Sequence, residues 1–175
     1  MIRSARKPVK RLRAKRTTPR AKLIDYLTTV THLIVKVRDD FRCVRCRKQY
    51  KLGDQGLTAS HFWKSGMFKT KWVFDNIDAA CWGCHSGVWE HNKQGEYRDF
   101  KIAQLGQERY DELQRMARSI AKWSDYELRD MLQKYVIILL NYHRPDIRYV
   151  DGTLSIYVEK NGMWQWKKLF HYEMF

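Results

Sequence analysis

Proline and glycine are scarce, at three and nine in a chain of 175 residues. That scarcity excludes a collagen-like or a Pro/Gly-rich linker protein. No apolar run reaches the ~18 residues that would mark a membrane-spanning helix. The nearest candidate, residues 23–37, is broken by Asp25, His32 and Lys36 and does not read as a secretory leader either. A soluble chain of the cytoplasm is the expectation. Acidic residues are missing altogether from residues 1–22, where ten basic ones stand: Arg3, Arg6, Lys7, Lys10, Arg11, Arg13, Lys15, Arg16, Arg20 and Lys22. With 34 Lys+Arg against 19 Asp+Glu the chain carries +15, so this arm holds two thirds of the surplus. It has too few apolar side chains to offset the entropy of ordering, and is expected to be disordered when alone. Such a surplus suits a polyanion, and Arg11, Arg13, Lys15 and Arg16 are candidate phosphate contacts, each phosphate neutralised adding ~0.9 to the salt dependence of DNA binding.

Cysteine is also sparse, but its four copies are ordered. Cys43 and Cys46 form one C-x-x-C pair, Cys81 and Cys84 a second, with 34 residues between them. Two such pairs complete the closed four-sulfur set that structural zinc prefers. Cys81-Trp82-Gly83-Cys84-His85 also matches the c-type haem attachment pattern, which needs an exported chain and leaves the first pair unused, so no haem is expected. A plain zinc ribbon holds its pairs ~15–20 residues apart. The longer gap here points to a functional element built between two zinc knuckles.

Inside that gap lie His61 and Asn76, and His85, His91 and Asn92 follow it closely. This arrangement resembles the HNH (His-Me finger) endonucleases that carry a four-cysteine zinc, and within them the lambdoid phage NinG/Rap recombination endonuclease family. The residues that carry the likeness are Ala59-Ser60-His61-Phe62, Val73-Phe74-Asp75-Asn76-Ile77, Cys81 to His85, and Leu105-Gly106-Gln107-Glu108. It covers about residues 22–140. The resemblance implies a ββα-metal unit and hydrolysis of phosphodiesters, with His61 as the general base that activates water. Imidazole suits that task near neutral pH and contributes typically 10²–10⁴-fold. Asn76 would orient His61 through its amide or by pinning the loop. His85 would ligate a catalytic Mg²⁺ or Mn²⁺, with His91 as a second ligand. Where the family often has a ligand just before the base, this chain has Ser60, and Asn92 or Asp75 are the alternatives. His91 and Asn92 also read as a helix-surface pair, and His85 as an outer partner of the zinc cysteines. His32, His143 and His171 match no pattern and read as surface or packing histidines.

Between His61 and Asn76, Lys64, Lys69 and Lys71 alternate with Trp63, Phe68 and Trp72. Cations that neutralise phosphate and rings that stack on unpaired bases would use such a loop; a small apolar cluster with solvated lysines accounts for the same residues. Leu23, Leu27, Val30, Ile34 and Val37 share one helical face, predicting a helix over 22–38. Further helices are expected from about Cys84, over 107–121, and from a capping box at Ser124 and Glu127 to about Asn141. The apolar run 135–140 is expected to be buried. Asp151-Gly152 and Asn161-Gly162 are hairpin signals that separate strands over 147–150, 153–160 and 163–170.

The fold class expected is α+β: a disordered arm over 1–22, a zinc-stabilised HNH unit with flanking helices over 23–142, and an antiparallel extension over 147–175. The function expected is a metal-dependent DNA endonuclease acting on branched recombination intermediates such as Holliday junctions or D-loops, as a homodimer matching a two-fold substrate. The other readings are an HNH enzyme that nicks duplex DNA in homing or packaging, and a zinc-stabilised DNA-binding protein without catalysis.

Overall fold

The computed structural model describes residues 18–91 and 95–173, an α+β arrangement of helices and two small antiparallel sheets. Arg11, Arg13, Lys15 and Arg16 lie outside the described residues, as does Asn92. Helix α1 (Pro19–Arg38) starts at Thr18, whose hydroxyl accepts from the Ala21 N–H. Pro19 sits in the first turn, where its missing N–H costs nothing. The helix therefore begins three residues ahead of the expected boundary, and residues 18–22 are not part of a disordered arm. Its five apolar positions are all buried, facing chiefly helix α5 (Asp125–Leu140), which opens on the capping box of Ser124 and Glu127.

After α1 the chain reverses through Asp40 and Phe41, both in the left-handed region. It forms the first cysteine turn and enters strand β1 (Leu57–His61). Strand β2 (Ile77–Cys81) pairs antiparallel to it, Leu57 opposite Cys81 and His61 opposite Ile77. Helix α2 (Trp82–Cys84) follows directly and continues as a π-helical turn, His85–Trp89. Helix α3 (Glu96–Leu105) was not foreseen; it ends at Gly106, whose φ of +78° breaks it from α4 (Gln107–Arg118). The three-stranded sheet has the order β3 (Ile147–Val150), β4 (Thr153–Lys160), β5 (Met163–His171). Its turns fall at Asp151-Gly152 and Asn161-Gly162, all four residues having positive φ.

One apolar core runs through α1, the β1–β2 ribbon, α5 and the inner face of the C-terminal sheet. Tyr26 of α1 stacks on Phe170 of β5 with ring centroids 4.6 Å apart. Residues 147–171 therefore close this core. The run 135–140 is only partly buried: Val136 and Leu139 are fully enclosed, whereas Ile137 is 55% exposed. A helix lying on one neighbour buries a stripe, and Ile137 is on the far side of it. Beneath β2, Asp78 is fully buried and accepts from Tyr97 Oη (2.9 Å), Lys101 Nζ (3.0 Å) and Gln104 Nε2 (3.1 Å). Burial pulls the Lys101 ammonium below its usual range, and the same burial beside Asp78 raises Tyr97 well above its own.

Candidate functional site

The first cysteine turn is tied to the ribbon by Val44 N–H donating to Ala79 O, which brings Cys43 and Cys46 to the place where β2 runs into α2. The four Sγ atoms lie within 4.8 Å of one another, and none is in a disulfide. Cys46 Sγ and Cys81 Sγ stand 3.7 Å apart. That is close to the ~3.8 Å edge of a tetrahedron built on Zn–S bonds of ~2.3 Å, and far longer than the ~2.05 Å of an S–S bond. The cluster is compatible with a structural zinc ion. Its outer partner is Arg45, which stands between the two cysteines of the first pair. Arg45 points Nη1 at Cys84 Sγ (3.6 Å) while gripping Glu96 through Nε and Nη2. His85 does not fill that role.

His61 ends β1 half-buried. Its Nε2 donates to the Lys71 carbonyl at 3.0 Å; a carbonyl only accepts, so that nitrogen carries the proton and the basic lone pair is on Nδ1. The loop that supplies this carbonyl is pinned by Asn76, fully buried in a short 3₁₀ turn. The Asn76 side-chain oxygen accepts from Trp63 N–H (2.7 Å), and its NH₂ donates to Trp63 O (2.9 Å) and Thr70 O (3.1 Å). Of the two ways Asn76 was expected to act, the structure shows it holding the loop.

The ring of His61 meets the edge of His32 from α1, centroids 5.4 Å apart. Sequence reasoning had set His32 aside; only its place on α1, one turn before Lys36, hinted at a basic face. Burial, and then the nearby His61, Lys36 and Lys71, push the His32 imidazole down to about 3. Its Nε2 is enclosed with no hydrogen-bond partner among the described residues. Burial also lowers the ammonium groups of Lys36 and Lys71, the latter opposed by Asp25. An open groove of about 510 Å³ borders this cluster, with Thr29, His32, Lys36, Lys51 and Thr58 in its wall. His61 stands behind His32 and is not in that wall.

The residues expected around a catalytic ion are not assembled in the same way. Thr58 donates to Ala80 O (2.9 Å), so its oxygen accepts from His85 Nδ1 at 3.1 Å. His85 Nε2 faces Glu90 Oε1 at 3.1 Å. Side chains alternate along a strand, so Thr58 with His85 lies on one face of β1 and His61 with His32 on the other. Ser60 is fully buried under Tyr97, which donates to its carbonyl. Asp75 is held by Arg109 at 2.7 Å, and His91 is exposed on the turn after α2. Among the described residues the four cysteines alone form a cluster of three or more metal-type ligands.

The loop lysines divide. Lys71 lies over Phe68 and Trp72 at 5.1 and 5.3 Å from the ring centres, Lys69 lies over Trp123 at 5.3 Å, and Lys64 is exposed. Trp72 is a core residue that donates to Thr28 Oγ1 (3.0 Å), so it offers no face to a base. Phe68 remains partly exposed. No family model, curated protein or solved structure matches the chain.

Proposed function

We propose that the protein is a DNA endonuclease of the HNH kind, in which His61 takes the proton from the attacking water and a four-cysteine zinc holds the ribbon that carries it. The observation that bears most of the weight is the orientation of His61: its Nε2–H is committed to the Lys71 carbonyl, on a loop that Asn76 locks with three hydrogen bonds. A base with a fixed tautomer beside a cluster of cationic side chains is what hydrolysis of a phosphodiester anion asks for. Lys36 and Lys71 would draw the phosphate in and stabilise charge growing on its oxygens. The zinc does no chemistry; it joins the cysteine turn that follows α1 to the place where β2 runs into α2.

A Mg²⁺ or Mn²⁺ ion in this reading would use His85 with Glu90, supplying a cation for the leaving oxygen. The two donors stand 3.1 Å apart, about the spacing of neighbouring ligands around an ion with ~2.1 Å bonds. Branched recombination DNA as substrate, and a homodimer as the acting form, rest on the likeness of His61, Asn76 and the Cys81–His85 segment to the NinG/Rap pattern.

A second reading, a zinc-stabilised DNA-binding protein without catalysis, is favoured by one observation: His61 leaves β1 on the face opposite Thr58, the residue that His85 contacts. Cleavage of four-way, flap and linear DNA with Mg²⁺ or Mn²⁺ present separates the two. The nuclease reading expects faster cutting of the four-way substrate and at least 100-fold loss in His61→Ala with DNA binding retained. No cutting of any substrate leaves only the binding role, and equal rates in wild type and variant remove His61 from the reaction.

A further inference from the structure

The C-terminal sheet has one face in the core, and its other face carries aromatic residues where an antiparallel sheet usually turns polar side chains to water. Tyr157, Trp164 and Trp166 share this outer face by register: Tyr157 is opposite Trp166 and Glu159 opposite Trp164. Trp164 lies near-parallel to Tyr157, centroids 5.6 Å apart and planes 24° off, and Trp166 stands 5.2 Å from Tyr157. From β3, Arg148 lays its guanidinium 3.8 Å above the Trp166 ring. Cross-strand pairing accounts for Tyr157 against Trp166. It does not account for Trp164, which remains 56% exposed.

We propose that this face is a stacking platform for unpaired nucleotides, a binding site separate from His61 and standing whether or not the chain cuts DNA. Every base presents a π-face, so a row of Trp and Tyr rings binds single strands with little sequence preference. Charge favours a polyanion over a protein partner. Arg148 and Lys168 lie on the same face, and its one acid, Glu159, is paired with Lys51 at 3.7 Å. A groove of about 910 Å³ beside β5, walled by Trp164, Trp166, Lys160 and Lys167, shares residues 51–55 with the groove at His32 and Lys36. The platform's groove and the groove at the basic cluster thus border the same segment of chain.

The test uses the full zinc-loaded chain, without added divalent cation, and fluorescein-labelled dT12 against an abasic sugar-phosphate chain of the same length and charge. The basic arm binds both alike; the platform binds only the first. Wild type is expected to prefer dT12, and Trp164→Ala and Trp166→Ala to lose that preference by roughly 5- to 150-fold per stacked base, with duplex affinity unchanged. Trp164 is 56% exposed, so Trp164→Ala is expected to keep the wild-type thermal midpoint, while Trp166→Ala gives up its packing on Tyr157 and Arg148 and is expected to lower it slightly. Equal affinity of wild type for the two chains overturns the proposal, as does a preference that survives both substitutions. Loss of self-association in the variants with dT12 affinity intact assigns the face to a protein contact and also overturns it.

Discussion

Replacing Asn76 by Ala removes one acceptor and two donors from a site with no access to water. Three backbone groups then lose partners: Trp63 N–H, Trp63 O and Thr70 O. Each buried group left unsatisfied costs about 1–3 kcal/mol. These neighbours relax together and their costs do not simply add, so a loss of roughly 3–6 kcal/mol is expected. That is a large share of the ~5–15 kcal/mol that stabilises a domain. The consequence for the site is more specific. Lys71 O, which orients His61, is one residue beyond Thr70, so an unpinned loop leaves the imidazole without a fixed acceptor. Urea unfolding of zinc-loaded protein measures the first effect, and amide hydrogen exchange at Trp63 the second. Asn76→Asp is a sharper variant, because a carboxylate turned toward the same two carbonyls repels them. A stability loss under 1 kcal/mol with the Trp63 amide still protected would refute the reasoning.

Metal analysis of native protein is expected to give one zinc per chain, and chelation to unfold the ribbon cooperatively, since structural zinc supplies ~10–16 kcal/mol of apparent binding energy; a value near zero removes the zinc from the account. Because the folded His32 imidazole sits far below its ordinary 6.5, at about 3, the unfolded chain binds the extra proton between those values, and stability contributed by neutral His32 is complete above about pH 6.5 and lost as pH falls toward 3. The difference between wild type and His32→Gln in urea unfolding is expected to change by up to about 1.4 kcal/mol per pH unit in that window, and a flat difference would show that burial, with His61, Lys36 and Lys71 nearby, does not hold His32 neutral. Asp78→Asn strands the buried Lys101 ammonium and is expected to cost about 3–5 kcal/mol; a thermal midpoint within a degree of wild type would contradict the buried pair.

Much of the scaffold was legible because it is written in short-range signals. The apolar spacing of α1, the capping box of α5 and the two Asx-Gly turns each fix a local geometry whatever the rest of the chain does. The four cysteines were legible for the same reason, as two pairs of fixed bite. What the sequence concealed depends on distant residues meeting. His32 is 29 positions from His61, and nothing in the spacing of α1 shows that its histidine faces the end of β1. The Arg45–Glu96 grip and the Asp78–Lys101 pair join segments that become neighbours only once the ribbon and α3 have packed. Ile137 was misread because an all-apolar run looks buried on every side, while the helix has one partner to lie against. For Trp72 a ring beside lysines suits a base stack and a core equally well, and only its burial decides between the two.

Chemical rescue tests the role of His61 most directly. His61→Ala is assayed on the cleaved DNA substrate at saturating protein while imidazole is added to the solution. A side chain acting as the base predicts a rate that rises with imidazole and follows the titration of the added base. A variant that cuts at the wild-type rate, or whose residual rate ignores imidazole at every concentration, would contradict it.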